Sequence, residues 1–252
     1  MGSIEDKLKT HIVYGNGESR PREPLSGNFT SWGCNAIHRD FVVDNLVSID
    51  YTMQQEIYES NYPLTHKCWF YNWEVLPPEF DVNMMKEMYP DQPLFETPKK
   101  DKKFCVVQGK TKETVESNLK EMLQHNPNLD VDDFMRKAGH HVGMYITWVE
   151  ENDQVKNIDY PKGWSAGNTA MHLACQDGAE EIYMLGFDGS DYSKPINNVY
   201  KGSKNYLPEY SRGFNTINWD NQFKMVQKDF PNVKFYKVGT ELTYEELKNN
   251  IR

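Results

Sequence analysis

Short apolar runs that close on glycine or a polar residue recur along this chain, with helical spacing between them. His11-Ile12-Val13-Tyr14 runs into Gly15-Asn16-Gly17, and Trp32-Gly33-Cys34 runs into Asn35. The stretch 44–51 reads as a strand that ends at Asp50, and Glu181-Ile182-Tyr183-Met184-Leu185 ends in Gly186-Phe187-Asp188. Apolar residues at Ala170, Met171, Leu173 and Ala174 give one face of a helix, with Gly178 as its stop. Phe104 to Gly109 and Val142 to Val149 read as further strands, and Thr111 caps a helix running to about Gln124, with Glu113 and Glu116 near its positive end. Residues 218–230 have helical spacing at Trp219, Phe223, Met225 and Val226; Pro231-Asn232 breaks that helix before a strand at 233–238, and 243–248 forms a terminal helix. Six or seven strands alternating with helices predict an α/β fold with a mostly parallel sheet.

In such a sheet the carboxyl ends of the strands converge on one crevice. That places Asn16, Asn35, Asp50 and Asp188 together as candidate site residues. Gly15 and Gly17 allow positive φ and close backbone approach, so G-N-G reads either as a phosphate turn or as a tight surface turn. Ser165, Ala166 and Gly167 form a small-residue turn at the start of the 170–174 helix, where first-turn amides without intrahelical partners suit an anion.

The string Gly15-Asn16-Gly17-Glu18-Ser19, then Cys34-Asn35-Ala36-Ile37-His38-Arg39-Asp40-Phe41, then a strand ending in Asp50, then Ser165-Ala166-Gly167, a helix and Gly186-Phe187-Asp188, resembles glycosyltransferase family 42, the bacterial lipooligosaccharide sialyltransferases. It is also similar to the wider group of the archaeal 6-hydroxymethylpterin diphosphokinase type. The resemblance covers roughly 10–58 and 164–192. It implies a Rossmann-like sheet of the GT-A variant and a cytidine nucleotide sugar as co-substrate, held without a metal or other cofactor. It further implies that Gly15, Asn16, Gly17, Asn35, Asp50, Ser165, Ala166 and Gly167 surround the nucleotide, and that Tyr192, with Tyr200 after it, contacts the leaving phosphate. Two departures stand out: Glu18 replaces a proline, and the stretch Tyr210-Ser211-Arg212-Gly213-Phe214-Asn215 lacks the family's catalytic histidine. A donor other than a sialic-acid nucleotide is therefore expected. Asp188 or Asp50 is then the candidate proton acceptor, with Arg212 and Tyr192 neutralising the departing phosphate. The expected activity is a metal-independent glycosyltransferase moving a sugar from a nucleotide-activated donor to a hydroxyl acceptor. Still open are a Mg²⁺- and ATP-dependent pyrophosphokinase-like enzyme, a viral glycosyltransferase acting on modified DNA bases, and an inactive sugar-nucleotide binder.

Composition narrows the partners. At 252 residues the chain is long enough for one full α/β core, and a net charge of −9 disfavours a broad nucleic-acid surface while leaving a local basic groove open. There is no run of 18 apolar residues and no apolar leader at the amino terminus, so a cytoplasmic protein without a membrane span is expected, its oligomeric state open. The aromatic share of 13% is large enough to serve sugar or base stacking as well as the core. Cys34, Cys68, Cys105 and Cys175 are too scattered for a zinc site, and no Asp-x-Asp pair closes a strand. His140-His141 are neighbours whose side chains would point to opposite faces of a strand. His38 lies closer to the predicted crevice, and His172 falls inside the 170–174 helix. Residues 76–103 hold five prolines and the run Lys99-Lys100-Asp101-Lys102-Lys103; they read as a lid-like loop insertion with one short helix, Val82 to Met88.

Overall fold

The computed structural model describes residues 9–251 apart from 126, 128–129, 133, 136–141, 152–153, 159–163 and 214–215; the pair His140-His141 lies outside the described residues. In chain order the elements are β1 (Thr10–Tyr14), β2 (Thr30–Cys34), a 3-10 helix (Asn35–Arg39), β3 (Asn45–Ser48), α1 (Tyr51–Glu59), β4 (Cys68–Tyr71), β5 (Val75–Leu76), α2 (Val82–Met88) and β6 (Leu94–Glu96). They continue with β7 (Phe104–Lys110), α3 (Lys112–His125), β8 (Gly143–Val149), β9 (Val155–Ile158), α4 (Ala166–Gln176), β10 (Glu181–Leu185), α5 (Ile217–Asp229), β11 (Lys234–Lys237) and α6 (Tyr244–Asn250).

Seven strands form an all-parallel sheet in the order β11-β10-β1-β2-β3-β4-β9, a Rossmann-like α/β arrangement. Its central strands are buried on both faces, as a parallel sheet covered by helices requires. The period of two is visible in the cores: Ile12, Tyr14, Leu46, Phe70 and Leu185 pack with Met53 and Ile57 of α1 and Leu247 of α6. Val13, Trp32, Val47, Ile182 and Met184 pack on the other face with Ala170, Met171 and Ala174 of α4 and Val226 of α5. Ser165 caps α4, its Oγ accepting from the Asn168 amide at 3.2 Å, and Gly178, with φ of +93°, follows the helix as the stop the sequence predicts.

The stretch expected to be a lid is built differently. Its helix 82–88 forms, but β5 and β6 join β7 and β8 in a second sheet ordered β5-β7-β8-β6. With two and three residues, and β6 exposed throughout, these strands carry no alternating pattern to read. Val106 and Val149 of this second sheet belong to the same core as α1. The Gln55 side chain ties the two further, donating to the carbonyls of Phe95 at 3.0 Å and Ile146 at 3.1 Å. Two lysines of the 99–103 run lie on aromatic rings, Lys99 over Trp148 at 4.2 Å and Lys102 over Tyr58 at 4.5 Å. Among the described residues, no helix is long and apolar enough to cross a membrane.

Candidate functional site

From β1 the chain steps outward through β2, β3 and β4 to β9, then returns to the other side of β1 for β10 and β11. The strand order therefore reverses between β1 and β10, and such a reversal opens a crevice at the carboxyl ends. Gly15-Asn16-Gly17 and Gly186-Phe187-Asp188 meet there. The amides of Gly15 and Gly17 donate to the carbonyls of Leu185 at 2.7 Å and Gly186 at 2.9 Å. A Cβ on Gly15 would lie 2.6 Å from the Gly186 oxygen, and one on Gly17 would lie 2.7 Å from Asp188 Oδ2. The two glycines thus permit loop-to-loop contact, and both amides are used in making it, so the phosphate-turn expectation finds no open amide at either glycine.

What this turn presents is Asn16. Its Nδ2 donates to the Cys34 carbonyl at 3.2 Å and to Tyr206 Oη at 3.3 Å. The carbonyl accepts only, which fixes the orientation of the carboxamide. Asn16 Oδ1 is then buried with no hydrogen-bond partner, and Asn35 Oδ1 is in the same condition. Asn35 has φ of +52°, a left-handed geometry that asparagine tolerates better than most residues. Tyr206 Oη also accepts from the Ala36 amide at 3.4 Å. Burial pushes the Tyr206 phenol far above its ordinary value, and Tyr200 and Asp50 push it the same way, so it stays protonated. Asp50 follows β3 and does not cap α1 with its side chain; its charge is felt at Tyr206, Tyr51, Tyr145 and Lys110.

A cover over these strand ends comes from residues 186–213, within the long connection between β10 and α5. The Val199 amide donates to the Asn16 carbonyl at 2.9 Å, and Asn197 Oδ1 accepts from the Glu18 amide at 2.8 Å. Arg39 reaches Ser203 Oγ at 2.8 Å and the Lys204 carbonyl at 2.9 Å, and its guanidinium lies over the rings of Tyr200 and Tyr206. Asn205 Nδ2 donates to Glu56 at 2.7 Å. Beneath the cover, buried Arg20 pairs with Asp40 and donates to Tyr200 Oη at 3.0 Å, while Tyr200 donates to Asp40 at 2.7 Å. A backbone bridge between Pro195 and Arg212, and the Gly213 amide on the Lys194 carbonyl at 2.8 Å, close its neck.

The remaining predicted residues are placed as follows. Asp188 accepts from the Ser19 amide at 2.9 Å and from the Ser19 hydroxyl, so it holds the loop after β1. Ser165 Oγ is engaged by Asn168, and its amide donates to Gln222 Oε1 at 2.8 Å. Ala166 and Gly167 are the first helical residues of α4, not a turn before it, and a Cβ on Gly167 would lie 2.8 Å from the Phe187 ring. Phe187 therefore occupies the space over that first turn, where an anion was expected. Because α4 packs on the face opposite α1, these three residues do not join Asn16, Asn35 and Asp50 through any contact described. Tyr192 donates to Asp130 at 2.9 Å, and Arg212 is exposed.

Burial lowers the pKa of His38, whose Nδ1 lies 3.3 Å from the Asn35 carbonyl and whose Nε2 lies 3.8 Å from Glu56. Sequence reading missed Tyr206, Arg20, Lys110 and Tyr145, whose places depend on contacts remote in sequence. A shallow cleft lined by Arg22, Leu25 and Lys248 contains none of the strand-end residues. Compared with known protein families, curated proteins and solved structures, the chain matches none.

Proposed function

We propose that the protein is a glycosyltransferase that binds a nucleotide-activated sugar in the crevice at Asn16, Asn35 and Asp50. The observation that carries this reading is the pair of buried, unpartnered Oδ1 atoms of Asn16 and Asn35 at the switch point. An unsatisfied buried acceptor costs about 1–3 kcal/mol, and a ligand with donors at that place removes the cost. Ribose hydroxyls and an exocyclic base amine are donors of the right kind. The protonated Tyr206 hydroxyl can donate to an anionic phosphate, and the Arg39 guanidinium, paired with Glu56, lies over the Tyr206 ring. Asp50, whose charge is felt at Tyr206, is the carboxylate assigned to take the acceptor proton.

Nucleotide release from cytidine-, uridine- and guanosine-activated sugars, measured in EDTA, tests this. One donor class turns over, and Asn16→Ala slows it at least about 10-fold, the equivalent of one hydrogen bond. Turnover only with ATP and Mg²⁺ would replace the reading with phosphoryl transfer.

A further inference from the structure

The second sheet brings a set of polar groups toward the carboxyl end of β3. Tyr145 of β8 is wholly buried, and its hydroxyl has no hydrogen-bond partner. Its ring stacks on Phe95 at 4.8 Å and meets the edge of Tyr51 at 5.3 Å; Tyr51 is the residue after Asp50. Across the ladder from Tyr145 stands Gln108, which donates to Gln54 Oε1 at 2.6 Å and to the carbonyls of Tyr71 and Asn72, while its own Oε1 is unpartnered. Lys110 lies two residues further along β7 and so on the same face as Gln108. Burial lowers the pKa of the Lys110 ammonium and Asp50 raises it, while burial and, less strongly, the same carboxylate raise the phenol of Tyr145. The Gln55 bonds to Phe95 and Ile146 hold this arrangement in place against α1.

A buried phenol without a partner, on the same sheet face as the Lys110 ammonium and within the influence of the Asp50 carboxylate, supplies donors and acceptors together. That combination fits a molecule whose hydroxyls each donate and accept. An anionic molecule would meet the Asp50 charge. We propose that the second sheet builds the acceptor side of the crevice: Lys110 and Tyr145 position a neutral polyhydroxylated acceptor whose attacking hydroxyl gives its proton to Asp50. The proposal rests on the nucleotide-sugar reading of the adjoining site. In the step, the acceptor O–H bond breaks and its proton passes to the Asp50 carboxylate. The acceptor oxygen bonds to the anomeric carbon, and the anomeric C–O bond breaks with its electron pair leaving on the nucleotide phosphate. Lys110 and Tyr145 are positioning residues; Asp50 is catalytic.

Saturation-transfer NMR on the full chain tests the binding part, with methyl glucoside, methyl galactoside and N-acetylglucosamine as probes and CMP, UMP and GMP present. At least one saccharide gives a signal with the wild type. Lys110→Met and Tyr145→Phe reduce that signal at least about fivefold, with the nucleotide signal and melting temperature retained, and Lys110→Arg restores part of it. A nucleotide signal without a saccharide signal, or a saccharide signal equal in both variants, would overturn the acceptor side alone. A saccharide signal lost in the variants but with no nucleotide signal would support the pocket and overturn the donor reading. Silence from both ligands would overturn both. Asp50→Asn keeps the saccharide signal while saccharide-stimulated nucleotide release falls at least about 100-fold; undiminished release would remove Asp50 from the proton transfer.

Discussion

At the scale of single residues, the junction of β1 and β10 turns on what Gly17 lacks and what Asp188 holds. A side chain at Gly17 would strike the very carboxylate that receives both donors of Ser19. Hydrogen bonds to a charged acceptor contribute more than neutral ones, so Asp188→Ala lowers unfolding free energy by about 1–2 kcal/mol in urea denaturation. A stability equal to wild type would show that the Ser19 loop is held by other contacts. The position of Asp188 is legible in the sequence because a short apolar strand precedes it. Its partner is not, because Ser19 lies 169 residues away. Tyr206 is hidden for the same reason: 190 residues separate it from Asn16, and nothing in its own neighbourhood marks it. Asn16, Asn35 and Asp50 are legible because each lies within two residues of a strand's carboxyl end.

At the scale of elements, the 3-10 helix after β2 is locked between α1 and the cover. Its His38 ring faces Glu56 of α1, with Arg39 and Asp40 as neighbours in the chain, and burial is the largest influence on it. Burial likewise lowers the pKa of His172 in α4, where Trp164 and Phe230 ring it and Asp229 opposes the shift. Both histidines hold their protons less tightly folded than unfolded. Their contribution is fully present above the ordinary imidazole value of 6.5 and is lost as pH falls through the lower folded values. The melting temperature therefore drops as pH falls below about 6.5, and His38→Gln with His172→Gln flattens that drop. An unaltered slope in the double variant would assign the acid sensitivity to other groups. Helices and buried strands were readable from their periodicity. Edge strand β9 was not, because Lys156 and Asn157 are exposed and leave no apolar run. The expectation of a lid at 76–103 followed its prolines, whereas the segment covering the strand ends is 186–213, whose order comes from hydrogen bonds to distant residues and not from a repeating apolar pattern.

At the scale of the whole molecule, two sheets share a core around α1, and the Asp50 charge after β3 is felt at Tyr145 and Lys110 of the second sheet. In the site we propose, the parallel sheet supplies the carboxamides of Asn16 and Asn35, the β10 to α5 connection supplies Tyr206, and the second sheet supplies Tyr145 and Lys110. In the proposed complex a nucleotide satisfies the two carboxamide oxygens beneath the cover. Melting temperature in EDTA, recorded against CMP, UMP, GMP and AMP for wild type and Asn16→Ala, tests it most directly. A nucleotide at about 100 times its dissociation constant adds about 2.7 kcal/mol to the folded state, which is about 5–10 °C for a chain of this size. The account predicts such a rise for one nucleotide with wild type and its loss in Asn16→Ala; no rise with any nucleotide, or an equal rise in both proteins, would contradict it.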